Sequence, residues 1–269
     1  MTKRLPRIFV PPKAFKEQDL VFLAGKERHY LLDVLRLGQG DRVMVLDGLG
    51  SKRPAVIILD RSGKAGLLFE ERAQGADTLE QGDKTDIHLI LLFGITKGDG
   101  PELVIRAGTE IGVAEFLPVF CKRSIPRPEK GRPWPKQRRW ERVAIEAAGQ
   151  CRRDYFPRVH NPVDLASALD SDILGSAPVK ICCSLLSKKN IRDVLKAYNG
   201  PDRERMVLAV GPEGGFSLRE EALMKNKGFD FVSLGPFTLR AKTAGIVAPA
   251  LLIHDVSGLF ENVEERGGE

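Results

Sequence analysis

Two stretches in the last third of the chain restrict its fold more than any others: MVLAVGPEGGFS at 206–217 and FVSLGPFTLRAKTAGIVAPALL at 231–252. Each is a short apolar run that ends in a Gly/Pro-rich turn and passes into a helical pattern. An apolar run bounded in this way reads as a buried strand of a parallel sheet. Turns that follow parallel strands gather at one edge of the sheet, where α/β proteins bind ligands. The turns at 211–215 and 235–240 could therefore face each other across one pocket.

The residues before them continue the alternation. Strands are expected at 87–93, 115–120, 179–186, 206–210 and 231–234. Helices are expected at 102–112, 136–150, 163–169, 191–198, 218–226 and 243–256, with a proline-rich loop over 126–135. Repeated βα units imply an α/β domain, a mostly parallel sheet with helices on both faces. Residues 1–75 read differently, as short runs at 8–10, 20–23, 42–47, 55–59 and 66–70 with one helix at 26–37 closed by Gly38. Such a pattern suggests a small β-rich barrel. A polar stretch without apolar period places a linker over 76–86 and the α/β domain over 87–269.

Charge is unevenly distributed. The chain carries a net +6, yet residues 122–158 hold 12 Lys/Arg against four Asp/Glu, a local +8 that leaves −2 for the remainder. Concentration in one Arg-rich segment favours a polyanion-binding face over a merely solvated helix. Four cysteines do not make a disulfide framework at this length, and Cys182 and Cys183, inside VKICCSLL, read as small core residues. The four histidines show no ligand spacing, so no metal site is expected. No apolar run approaches the roughly 20 residues of a membrane helix, and the N-terminus has no continuous apolar segment; a cytoplasmic protein is expected.

Individual motifs narrow the chemistry. Gly48-Leu49-Gly50 lacks the third glycine and the βαβ surroundings of a dinucleotide fingerprint and reads as a hairpin turn. GPEGG at 211–215 lacks the Lys-Ser/Thr of a P-loop, but its glycines permit close approach of backbone to a ligand or a tight reversal. Ser217 and Glu220 have capping-box spacing, which accounts for a helix entry but not for Pro212 or Gly214-Gly215. Further on, Thr238 or Thr243 could cap the last helix. Arg240 is either an exposed cation or, this close to a glycine turn at a sheet edge, a site residue.

GPEGGFSLREE followed by SLGPFTLRAKTAGIVAPALL resembles the RsmE-type ribosomal RNA methyltransferases of the SPOUT superfamily. The resemblance extends along most of the chain. HYLLDVLRLGQGDRVMVLDG is similar to the family's PUA-like barrel, KGDGPELVIRAGTEIGV to the first helix of its methyltransferase domain, and RSIPRP and RWERVAIEAAGQCRR to later runs. It implies a SPOUT-type parallel sheet with a C-terminal trefoil knot, preceded by a PUA-like RNA-binding barrel. It also implies S-adenosyl-L-methionine as methyl donor and N3 of a uridine in small-subunit (16S) rRNA as acceptor. The implied partners are that rRNA or the 30S particle and a second copy of the chain, with no membrane and no metal.

By the same resemblance, cofactor contacts fall to Leu186, Gly211, Pro212, Glu213, Gly214, Gly215, Leu234, Gly235, Leu239 and Thr243, and RNA contacts to Arg7, Arg36, Arg123, Arg152 and Arg153. Arg240 is the expected electrostatic stabiliser of a developing uridylate. Glu213 is a weaker candidate base, the alternative being a carboxylate tied to backbone amides. The chain departs from the family at Lys242, at Ala107-Gly108-Thr109-Glu110 and at Gly149-Gln150-Cys151-Arg152-Arg153. Those departures bear on the RNA more than on the cofactor. They keep two alternatives open, a SPOUT enzyme acting on another RNA and a non-catalytic RNA-binding or ribosome-assembly protein.

Overall fold

The computed structural model describes residues 5–70, 87–124, 134, 136–175, 177–198 and 204–264, with side chains of the last helix described to 257. The linker expected over 76–86, and all of the loop expected over 126–135 except Trp134, lie outside the described residues. The chain divides into two compact units, Met1–Lys84 with Ala148–Phe156, and Thr85–Ala147 with Pro157–Glu269.

The first unit runs β1 (Arg7–Phe9), α1 (Pro12–Glu17), β2 (Leu20–Phe22), α2 (Gly25–His29), a π-helical turn (Tyr30–Val34), β3 (Arg42–Leu46), β4 (Lys52–Leu59) and β5 (Ala65–Phe69). Its strands form one curled sheet, a half-barrel in the order β1-β3-β4-β5-β2. Only β1 and β3 are parallel; the other pairs are antiparallel. Strand alternation turns Val43, Val45, Ala55, Ile57, Ala65 and Leu67 inward, and Leu31 from the π-helical turn closes the core. Prolines disguise α1 in the sequence, although Pro12 at the first helical position is compatible with helix.

The 48–50 turn joins β3 to β4 as a hairpin and has a second duty. A Cβ built on Gly48 would stand 2.3 Å from the Phe156 ring, and one on Gly50 2.1 Å from the Tyr155 ring. Both glycines have positive φ, +72° and +97°, so side chains are excluded by conformation as well as by space. Phe156 N donates to Gly48 O at 2.8 Å. These contacts explain why Ala148–Phe156, distant in sequence, belongs to the first unit.

The second unit contains β6 (His88–Gly94), α3 (Gly100–Ile111), β7 (Glu115–Phe120), α4 (Gln137–Gln150), β8 (Arg158–Val159), β9 (Val163–Asp164), α5 (Leu165–Leu169), α6 (Asp172–Gly175), β10 (Val179–Cys183), α7 (Ile191–Leu195), β11 (Arg205–Val210), α8 (Leu218–Asn226), β12 (Asp230–Val232) and α9 (Ala241–Glu264). The last turn of α4 is shared with the first unit. The sheet is parallel throughout, ordered β12-β10-β11-β6-β7-β8 with β9 also on β7. Successive residues of β6 feed opposite faces, Leu89, Leu91 and Phe93 one core and Ile90 and Leu92 the other. Cys182 is buried in one of these cores and Cys183 partly buried against the other, where burial pushes its thiol up to about 12. Helix α9 packs on α3 at Gly245, where a built Cβ would meet Val104 Cγ2 at 2.8 Å.

Candidate active site

Because β10, β11 and β12 are adjacent and parallel, the loops that follow them leave the sheet at one edge. Glycine shapes the central loop. A Cβ on Gly211 would lie 2.9 Å from Phe216 N and 3.0 Å from Gly215 Cα, so the turn closes on its own backbone. Gly215 has φ +67° and donates its N–H to Pro212 O at 2.8 Å. Ser217 and Glu220 form the expected capping box: Glu220 N donates to Ser217 Oγ at 3.4 Å and Ser217 N to Glu220 Oε2 at 2.7 Å.

Neighbouring loops are fastened to this turn. Lys97 N, after β6, donates to Glu213 Oε1 at 3.1 Å. Lys122 N, after β7, donates to Glu220 Oε1 at 2.7 Å, and the Arg123 guanidinium donates to Gly214 O. After β10, Ser184 Oγ donates to Glu221 Oε1 at 2.9 Å and accepts from Leu186 N at 3.2 Å. Ser233 N donates to Lys189 O at 2.7 Å, which ties the loops after β12 and β10.

Between these ties the edge stays open. Gly215 and Gly235 (φ +135°) have nothing within 4 Å of a built Cβ. Leu185, Leu186, Leu218 and Phe237 are each at least 72% exposed there, an unusual concentration of wet apolar side chains. Leu234 and Leu239 are partly buried against the core. Arg240 is exposed and forms no ion pair among the described residues. Its carbonyl accepts from Ala244 N at 2.8 Å, so Arg240 itself stands at the start of α9. Thr243 is then inside the first turn and Thr238 short of it; neither occupies the cap position. Open backbone, an apolar rim and exposed cations, Arg240 among them, suit a ligand with a flat ring and a polar tail.

The expected site residues thus separate into groups. Leu186, residues 211–215, Leu234, Gly235, Leu239, Arg240 and Thr243 all lie on the three loops or the adjoining turn of α9. Arg123 is bonded to the glycine turn itself. Arg7, Arg36, Arg152 and Arg153 belong to the first unit. Arg7 donates to Asp154 and to Arg153 O, while burial lowers the Arg153 guanidinium below its ordinary value. Arg36 and Arg152 are exposed, both with positive φ. Residues to which the sequence assigned no individual role also emerge: Lys97, Trp134 and Lys136 line one pocket at the end of β6. Trp134 sits inside a run that reads only as a proline-rich loop.

Comparisons with known proteins identify the family. The RNA methyltransferase domain family matches residues 83–253, and the RNA methyltransferase PUA domain family matches 23–64. A ribosomal RNA small subunit methyltransferase E of Synechocystis is 34% identical over 95% of this chain and 78% of its own. The protein of that name from Bacillus subtilis is 24% identical over 87% of this chain and 89% of its own. The crystal structure of a ribosomal RNA small subunit methyltransferase E from Neisseria gonorrhoeae, bound to S-adenosyl methionine, superposes with a TM-score of 0.72. It is 26% identical and covers 93% of this chain and 97% of that one.

Proposed function

This chain belongs to the RsmE family of RNA methyltransferases, and on that premise we propose that it transfers a methyl group from S-adenosyl-L-methionine to N3 of one uridine in small-subunit rRNA. The observation that carries the reading is the convergence of the loops after β10, β11 and β12 at one edge, with open glycine backbone, an apolar rim and the unpaired Arg240. Backbone groups of 211–215 and of Leu234, Gly235 and Leu239 hold the cofactor, with Leu186 and Thr243 at its margins. The cofactor supplies an activated methyl group, so the chain need not supply a nucleophile.

What the chain contributes is alignment and charge. The fastened loops keep donor and acceptor in line, an effect of orientation. Arg240 would stabilise the negative charge that develops on the uracil as the N3 proton passes to solvent water and the methyl group replaces it. Glu213, whose carboxylate already accepts the Lys97 amide, serves to position the loop more than to take that proton. Arg36, Arg123, Arg152 and Arg153 supply phosphate contacts, and Arg7, donating to the Arg152 and Arg153 carbonyls and to the Asp154 carboxylate, holds the segment from which two of them project.

A trefoil knot belongs to the same reading. It is supported by β12 returning to the outer side of β10 after β11 has been inserted between β10 and β6, and by α9 passing back to α3. So does a homodimer, for which α9 keeps Leu251 exposed. The test incubates the protein with labelled S-adenosyl-L-methionine and small ribosomal subunits lacking N3-methyluridine, followed by mass spectrometry of the digested rRNA. A methyl group on N3 of one uridine is expected. Cofactor binding without transfer would indicate another RNA, and no cofactor binding would indicate a non-catalytic RNA-binding protein.

A further inference from the structure

At the C-terminal end of β6 lies a pocket of about 300 Å³ whose walls include Ile95, Lys97, Pro101, Trp134, Lys136 and Trp140. The two indoles are 6.1 Å apart between centroids and tilted by 41°. Trp140 is 1% exposed and belongs to the core; Trp134, packed on Trp140 and edge-to-face with Phe120 at 5.4 Å, is only partly buried and is the more accessible of the two indoles. The Trp134 Nε1 is a buried donor without a partner among the described residues. Such donors are rare in folded proteins because leaving them unpaired is costly. The charged side chains of the lining are Lys97 and Lys136, both exposed and in no ion pair among the described residues.

An indole wall and two ammonium groups match the parts of a nucleotide, a flat base and a phosphate. They match S-adenosyl-L-methionine poorly, since its sulfonium and ammonium outnumber its one carboxylate and two lysines repel the excess. The pocket also lies to one side of the cofactor loops. Its strand, β6, is the neighbour of β11 and lies three places from β12, roughly 14 Å at the usual strand spacing, so the pocket borders the glycine turn and stands away from the loop after β12. It is joined to that turn through the Lys97 N–H on Glu213.

We propose that this pocket binds a nucleotide flanking the one that is methylated, its base stacked on Trp134 and its phosphate held by Lys97 and Lys136. The inference rests on the RNA-methyltransferase reading and adds a second point of RNA grip beside the reacting base. Stacking tolerates any base, so the pocket contributes affinity and register more than sequence choice.

The experiment compares the wild type with Trp134→Ala, Trp134→Phe and Lys136→Ala. Methyl transfer uses unmodified small ribosomal subunits, and calorimetry measures S-adenosyl-L-methionine alone. Trp134→Ala is expected to raise KM for the subunits about tenfold, the worth of one base stack, and Trp134→Phe to restore most of it. Lys136→Ala is expected to reduce the salt slope of RNA binding by about one. All three are expected to bind S-adenosyl-L-methionine like the wild type. Weakened cofactor binding in Trp134→Ala and Lys136→Ala would assign the pocket to the cofactor and overturn the proposal, as would an unchanged KM. Absent transfer in the wild type would instead be a failure of the methyltransferase reading. A uridine-rich single-stranded RNA then decides the pocket: tryptophan quenching that Trp134→Phe abolishes supports it, and quenching that persists or never occurs overturns it.

Discussion

The backbone N–H of Lys97 donates to Glu213 Oε1 at 3.1 Å, so a carboxylate from the turn after β11 holds the loop after β6. Strand β6 presses on the same turn from below, since a Cβ on Gly94 would stand 2.4 Å from Pro212 Cδ. Glu213→Gln keeps the acceptor oxygen. It is expected to lower turnover by less than about tenfold, against about 10²–10⁴-fold on losing a general base. Glu213→Ala frees the Lys97 loop and is expected to raise KM for RNA. Steady-state methyl transfer reads both, and a collapse of turnover in Glu213→Gln would make this carboxylate the base.

Arg240 stands at the first turn of a helix that runs to Glu264, exposed and without an acidic partner among the described residues. Its replacement by Ala is expected to lower turnover about 10²–10³-fold, as for loss of one preorganised charge donor. Binding of S-adenosyl-L-methionine should remain measurable. Arg240→Lys should fall between, because a point charge lacks the planar donor fork. Turnover unchanged in Arg240→Ala would remove this residue from the mechanism.

Gly211 and Gly175 give opposite expectations for the same substitution. A Cβ on Gly211 meets only backbone, Phe216 N at 2.9 Å and Gly215 Cα at 3.0 Å, so the turn must open. Gly211→Ala should cost about 1–3 kcal/mol and weaken cofactor binding. Gly175, in α6, has nothing within 4 Å of a built Cβ and no positive φ. Gly175→Ala should be neutral or stabilise by about 0.4–1 kcal/mol. Denaturant unfolding and calorimetry of the two variants check the pair; equal destabilisation would contradict the packing argument.

Glu115, at the N-terminal edge of the same sheet, accepts from His88 Nε2 at 2.6 Å and His160 Nε2 at 2.5 Å. Burial by itself would raise its carboxyl. The hydrogen bonds and charge of His160 and His88 together outweigh that and hold it well below the ordinary 4.5. A depressed folded value means that stability from Glu115 is fully present above about pH 4.5 and is lost as pH falls through the folded value. Glu115→Gln should therefore lose about 1–3 kcal/mol at neutral pH and show a flatter acid limb below pH 4.5. Urea unfolding between pH 3 and 7 measures this, and parallel profiles for the two proteins would sink it.

The sequence by itself determined the parallel architecture of the second unit and which loops follow its strands. Apolar strands such as Met206–Val210 have one reading when glycine and proline bound them, and capping chemistry at Ser217 and Glu220 is local. Local signals also placed the hairpin at Gly48 and Gly50, but not the reason for both glycines, the rings of Tyr155 and Phe156 more than a hundred residues away. The short strands β8 and β9 were likewise illegible, because two residues carry no periodicity and pairing with β7 alone makes them strands. His88, Glu115 and His160 show no ligand spacing, yet adjacent parallel strands bring them within hydrogen-bond distance. Only the tertiary structure decided that Glu213 holds the Lys97 amide and that Trp134 packs on Trp140 at the wall of a pocket. Periodicity and capping are interactions among near neighbours in the chain, whereas these contacts exist only after the sheet has fixed which loops share an edge.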